Sequence, residues 1–167
     1  MISMSRSQYA AVREWFLQRP GCLMLLRVLY RLPLLLYCAY PALIAGLLIQ
    51  GKWTLLFREI IVPMAVFLGV TALRHWHNAP RPYEVWGVPP LFPKSKKGHS
   101  FPSRHSAAAS VIAMAFWYIY PTAGAVILAV ALLIAVSRVL AGVHFVRDVL
   151  AGLACGIIGG LIGFFIL

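Results

Sequence analysis

Three short stretches of this chain carry most of its reactive side chains. In the first, six residues separate Arg74 from the pair Arg81-Pro82. The second reads Pro102-Ser103-Arg104-His105. In the third, Ser137-Arg138 is followed by His144 and then Asp148. Arg74, Arg81, Arg104 and Arg138 supply planar, multi-donor cations that match phosphate oxygens. Pro102 to His105 has the form of a helix start: proline suits the first turn, and the free backbone N–H groups there attract anions. His144 and Asp148 are four apart, so a helical turn sets the carboxylate against the imidazole, an arrangement that orients and activates a nucleophilic histidine. Asp148 is the only aspartate in the chain. A second histidine, His105, can exchange a proton near neutral pH and serve as a general acid. A lone arginine at a membrane edge usually snorkels to headgroups, and a single i,i+4 His/Asp pair is a weak signal. The ordered set of three clusters is what points to phosphoryl transfer.

These clusters must be positioned by membrane helices. Of the 167 residues, 62% are hydrophobic and 11% charged, against roughly 45–50% and about 25% in soluble domains. A soluble fold of this size cannot hide so much apolar surface. The expected fold class is all-α: an integral-membrane bundle of about five transmembrane helices plus an N-terminal interfacial helix. The reading divides the chain into an N-terminal amphipathic segment (residues 1–31) and a transmembrane catalytic domain (32–167). Arg6, Arg13, Glu14 and Arg19 interrupt the first 20 residues, so no signal-peptide core is expected there. Ser5 to Arg19 can form a surface helix with Tyr9, Val12 and Phe16 on one side, ended by Pro20-Gly21. Cys22 to Arg31 reads as a second interfacial piece.

A span needs about 20 largely apolar residues. The expected spans are Leu32–Gly51, about 55–76, 103–120, 123–141 and Val149–Leu167, with Pro121 to Gly124 read as a tight turn. In five antiparallel spans, the loops after the second and fourth lie on one side, so the three clusters converge. Gly152, Gly156, Gly159, Gly160 and Gly163 make the last span a close-packing helix; packing within the bundle and a homodimer face are both open. Cys22, Cys38 and Cys155 show no metal-like spacing and read as small buried hydrophobes.

The three blocks resemble the signature of the type 2 phosphatidic acid phosphatase family: K-x6-R-P, P-S-G-H and S-R-x5-H-x3-D. The third is matched in full; Arg74 replaces the lysine of the first, and Arg104 the glycine of the second. The resemblance runs from Arg74 to Asp148. It implies catalytic roles for His144 (nucleophile, forming a phosphohistidine), Asp148 (holding His144) and His105 (protonating the leaving oxygen). It implies phosphate binding by Arg74, Arg81, Ser103 and Arg138, with backbone N–H groups of the Ser103–His105 turn. It also implies no metal or other cofactor. Arg104 either adds a phosphate ligand, or contacts a diphosphate, or points toward headgroups. His75, His77 and His99 fall outside the signature and read as loop and headgroup contacts. Lys94, Lys96 and Lys97 form a basic loop patch.

The implied partners are a lipid phosphate substrate and membrane lipids. Nucleic acid is not expected, despite the net charge of +11, because the chain is too hydrophobic. Candidate substrates are a polyprenyl phosphate or diphosphate, phosphatidylglycerophosphate and phosphatidic acid. The alternative is a non-enzymatic scaffold or small transporter, which would have no need of the ordered blocks. A further reading, the oxidase chemistry of related soluble peroxidases that hold vanadate, fits a lipid-embedded chain poorly. Thirteen of the 15 Lys and Arg residues fall on the N-terminal tail and the loops after spans two and four. The positive-inside rule then expects a multi-pass cell-membrane protein with its site on the cytoplasmic side.

Overall fold

The computed structural model describes residues 4–167, so residues 1–3 of the N-terminal segment lie outside it. Eight helices run in chain order: α1 (Arg6–Leu17), α2 (Pro20–Arg31), α3 (Pro33–Ile49), α4 (Trp53–His77), the short α5 (Pro82–Trp86), α6 (Arg104–Ile119), α7 (Pro121–Leu140) and α8 (Val146–Gly160). A wider π-helical turn, Leu161–Ile166, prolongs α8. Among the described residues there is no strand, as the all-α expectation requires.

Local signals set most boundaries. Ser5 caps α1 reciprocally: its hydroxyl accepts from the Gln8 backbone N–H at 3.3 Å, and the Gln8 side chain accepts from the Ser5 N–H at 2.8 Å. This is a capping box. Prolines open α2, α3, α5 and α7, where a missing N–H costs nothing. That explains one departure from the sequence reading. Pro121 does not start a four-residue turn; it starts α7, and only Tyr120 separates α6 from α7. Gly124 permits this, since a Cβ there would collide with the Trp117 backbone.

α6 is the centre of the bundle, packing against α3, α4, α7 and α8. Its buried side chains are mostly small, among them Ala107, Ala109, Ser110, Ala113 and Ala115, so neighbouring backbones come close. Gly152, Gly156 and Gly160 of α8 face it: a Cβ on Gly156 would meet the Ser110 hydroxyl and the Val111 N–H, and one on Gly160 would meet Met114. Gly159 and Gly163 meet Val66 and Val62 of α4 instead. The glycine stripe is therefore used inside the chain, and a homodimer through that face loses its basis.

Among the described residues, four helical stretches are long and apolar enough to cross a membrane: Pro20–Ile49, Trp53–Trp86, Pro121–Leu140 and Val146–Ile166. Two points differ from the five expected spans. α2 runs into α3 with only Leu32 between them, in helical conformation, so the second interfacial piece is continuous with the first span. α6, at 16 residues, rises about 24 Å, short of the roughly 30 Å hydrocarbon core. It is surrounded by longer helices and faces protein rather than lipid. The outer faces of α3 and α4 expose Leu34, Leu35, Phe57, Ile61 and Leu68, the pattern of a lipid-facing surface.

Candidate active site

The C-terminal ends of α4 and α7 and the N-terminal ends of α6 and α8 meet at one end of the bundle, bringing the three clusters together. α1 and α2 lie over this end. Tyr9 is buried, with its hydroxyl donating to the Pro89 carbonyl at 3.3 Å. Gly142, at φ +75°, is the position where any side chain would strike the Tyr9 ring; the left-handed backbone there is also one that glycine adopts freely.

His144 (4% exposed) lies in the α7–α8 connection, and Asp148 (0% exposed) one turn into α8. His144 Nδ1 is 3.5 Å from Asp148 Oδ2. The same oxygen accepts from the Ser100 hydroxyl at 2.5 Å and from the Phe145 N–H at 3.0 Å, and Ser100 Oγ is 3.3 Å from His144 Nδ1. Oδ1 has no hydrogen-bond partner; its nearest cation is Arg147 Nε at 3.6 Å. The His144 pKa is lowered to about 4. Burial is the largest cause, opposed by the hydrogen bond to Asp148 and reinforced by the charge of Arg81. At neutral pH the imidazole is therefore uncharged, with Nδ1 turned to the carboxylate, which leaves Nε2 as the nitrogen with a free lone pair.

His144 lines a cavity of about 290 Å³ together with Arg74, Arg81, Arg104, Arg138 and His105. Tyr30, Lys94 and Lys96 complete the polar wall. Arg74, Arg81 and Arg138 are buried and bonded to carbonyls. Arg74 donates to the Ser100 carbonyl at 3.2 Å and to the Pro102 carbonyl. Arg81 donates to Gly98 and Val143 at 3.0 and 3.2 Å. Arg138 donates to Tyr30 at 3.0 Å and stacks 3.7 Å from its ring. No carboxylate lines the cavity, and Asp148 stands behind His144. Buried charges are costly unless matched, so the cavity is prepared for an anion. Lys94 feels the same crowding: its pKa is lowered by burial first, then by Arg81, Arg138, Lys96 and Arg104.

Of the eight site residues expected from sequence, six line this cavity and two do not. Asp148 acts through His144. Ser103 is buried as the N-cap of α6, its hydroxyl accepting from the Ser106 N–H at 3.4 Å and its own N–H donating to the Asp148 carbonyl at 2.8 Å. That N–H is spent on holding α6 to α8, and Ser103 does not line this cavity. The Arg104 and His105 N–H groups, in the first turn of α6, have no intrahelical acceptor.

Sequence reasoning missed Ser100, Tyr30 and Glu84. Ser100, two residues before the second cluster, joins the other two, since its carbonyl holds Arg74 and its hydroxyl holds Asp148. Glu84 accepts from the Arg81 N–H at 2.8 Å and the Gly98 N–H at 2.9 Å, pinning the loop that carries the lysines. Tyr30 sits in the segment read as interfacial. No local pattern marks any of the three.

Two further cavities border the site. One, about 380 Å³ and mostly apolar, lies between α3, α4 and α6, lined by Leu36, Tyr37, Phe67 and Ile112 and ending at Arg104 and His105. The other, about 220 Å³, is basic. Among the described residues no three His, Cys, Asp or Glu side chains gather as a metal site.

The sequence profile of the PAP2 superfamily matches residues 51–166. The chain is 34% identical over 111 residues to YbjG of Escherichia coli (strain K12), whose name gives undecaprenyl-diphosphatase as an inferred activity. The match covers 62% of this chain and spans 55% of that relative's length. The fold matches the crystal structure of Aquifex aeolicus LpxE at a TM-score of 0.70 and 32% identity, covering 84% of this chain and 85% of that one. It also matches a Bacillus subtilis protein titled a transmembrane PAP2-type phosphatidylglycerolphosphate phosphatase, at a TM-score of 0.70 and 24% identity. That match covers 94% of this chain and 83% of that one, and bears on the fold alone.

Proposed function

The chain belongs to the PAP2 superfamily, and on that premise we propose that it is a multi-pass membrane lipid phosphatase working through a phosphohistidine. The observation that carries this reading is His144, backed by Asp148 and lining a cavity with four arginines. The neighbouring apolar cavity, ending at His105, suits the lipid chain of a leaving group.

A phosphate enters with its oxygens on Arg74, Arg81, Arg104 and Arg138, whose charges meet the charge that builds up in the transition state. His144 Nε2 attacks phosphorus; the N–P bond forms as the P–O bond to the lipid breaks. The charge of the bound phosphate lets the neighbouring His105 hold a proton, which it gives to the departing oxygen. Asp148 stabilises the imidazole as it becomes positive. Water then attacks the phosphohistidine, His105 takes the water's proton, and the N–P bond breaks to release phosphate and neutral His144. The guanidinium groups supply the positive charge, so the scheme needs no metal.

The candidate substrates are a polyprenyl phosphate or diphosphate, phosphatidylglycerophosphate and phosphatidic acid. Phosphate release from that panel in detergent, with and without EDTA, tests the reading. Wild type should turn over at least one lipid, resist EDTA, be blocked by vanadate and lose all activity as His144→Ala. A fully active His144→Ala would overturn the mechanism, and loss on chelation restored by Mg²⁺ would overturn metal independence.

The proposed orientation puts the site in the cytoplasm, on the distribution of lysine and arginine. Cysteines introduced at Lys96 and Lys52 test it in intact cells. Labelling at Lys52 alone by an impermeant reagent is expected; labelling at Lys96 alone reverses the orientation.

A further inference from the structure

Two helices wall the outer side of the apolar cavity that ends at Arg104 and His105. α3 supplies Pro33, Leu36 and Tyr37, and α4 supplies Phe67. Each helix carries a proline in its interior, Pro41 in α3 and Pro63 in α4. A proline has no N–H, so the carbonyl four residues before it loses its helical donor. Those carbonyls belong to Tyr37 and Glu59. Within a membrane span, a freed carbonyl has to find its donor on a neighbouring element.

For Glu59 that donor is in place. The Tyr40 hydroxyl of α3 donates to the Glu59 carbonyl of α4. The bond goes to the main chain and not to the side chain: Glu59 is 0% exposed, yet neither of its carboxyl oxygens has a hydrogen-bond partner. Tyr40 lies one helical turn beyond Leu36 on α3. Its ring packs against the core cluster that contains Leu36, Ala109 and Ile112, all three of which line the apolar cavity. It also packs against the neighbouring cluster of Met114, Ala115 and Phe164. The ring is thus seated in the core, and the hydroxyl ties α3 to the interrupted turn of α4.

We propose that Tyr40 is a positioning residue for the lipid tail: through the carbonyl that Pro63 leaves free, it sets the spacing of α3 and α4 and with it the fit of the tail in the apolar cavity. The proposal rests on the lipid-phosphatase reading and deepens it. Tyr40 does not line the arginine-walled cavity, so its loss is felt by the tail and not by the phosphate.

The test uses Tyr40→Phe, which keeps the ring and removes the hydroxyl. Turnover is measured in detergent on farnesyl monophosphate and on dimethylallyl monophosphate, which carries the same allylic phosphate on a much shorter tail. A buried carbonyl left without its donor should raise KM for farnesyl monophosphate about tenfold. Its kcat, and kcat/KM for dimethylallyl monophosphate, should stay within about twofold. Adding Pro63→Ala gives the Glu59 carbonyl a helical donor again and should recover most of the lost KM. Glu59→Gln leaves the main-chain acceptor in place and should behave as wild type. Equal losses on both substrates, an unchanged farnesyl KM, or no recovery with Pro63→Ala would overturn the proposal. So would a Glu59→Gln enzyme that reproduces Tyr40→Phe, since the side chain would then be the partner. The spacing itself is read from nitroxide pairs at Leu34 and Leu68, exposed on α3 and α4, with Cys22, Cys38 and Cys155 replaced by alanine. Their distance distribution should broaden in Tyr40→Phe and narrow again with Pro63→Ala; an unchanged distribution would overturn the proposal. If wild type turns over neither substrate nor any lipid of the panel, the phosphatase reading fails, and the distance measurement still decides whether Tyr40 sets the spacing.

Discussion

Replacing Ser100 by alanine isolates the residue that ties Arg74 to the His144–Asp148 pair. Asp148 Oδ2 accepts from Ser100 Oγ and the Phe145 N–H at 2.5 and 3.0 Å and stands 3.5 Å from His144 Nδ1. Ser100→Ala removes the shortest of the three and leaves the carboxylate buried. A hydrogen bond to a charged group contributes about 1.5–3 kcal/mol. Asp148 keeps two other contacts, so the lower half of that range applies, about 1.5–2 kcal/mol. Felt mainly as misplacement of His144 in the transition state, this predicts a kcat loss of about 10- to 30-fold. The carbonyl that holds Arg74 is on the backbone, so KM should change little. Ser100→Thr, which restores the hydroxyl, should recover most of the rate. The assay is steady-state phosphate release in detergent, with thermal midpoints recorded alongside. A Ser100→Ala enzyme with wild-type kcat would refute the reasoning. A loss that threonine fails to rescue, and that tracks the thermal midpoint, would reduce Ser100 to a packing residue.

Three further outcomes are expected. His105→Ala should slow release of a lipid alcohol far more than release of a good leaving group such as p-nitrophenolate, because only the former needs a proton; equal losses would remove His105 from that role. His144, with its pKa lowered to about 4, should stay neutral well below the usual histidine range. Its folded pKa lies below its unfolded value, so it favours folding above about pH 6.5, and that contribution fades as pH falls toward 4. Nitrogen-15 histidine spectra, assigned with His144→Gln, should show a midpoint near 4; a midpoint near 6.5 would contradict the burial argument. Gly156→Val should wedge α8 from α6, since even a Cβ there meets Ser110 and Val111. Overpacking of this kind costs about 1–3 kcal/mol, read as a lowered thermal midpoint in detergent together with reduced kcat.

What the sequence determined by itself was the class of molecule and the family. Apolar runs of span length exclude a soluble fold whatever their packing, because water cannot solvate that surface. The spacing of His144 and Asp148 is local: one helical turn brings them together. Boundaries were legible where a proline or a capping residue makes them, as at Ser5. They were misread at Pro121, where the same residue that can break a helix starts one.

Only the tertiary structure decided how the pieces meet. Ser100 looks like any loop serine until the fold sets it 2.5 Å from a carboxylate 48 residues away. Ser103 keeps its place in the signature, yet its N–H is taken by the Asp148 carbonyl. Tyr30 reaches Arg138 because α2 continues into α3 and crosses the site end. The glycines of α8 announce close packing but not its partner, since whether a stripe meets another helix of the same chain or a second copy depends on which surface lies opposite. Contacts between residues far apart in sequence leave no period or spacing in the chain. They follow from how the helices pack, and packing is set by all their surfaces together.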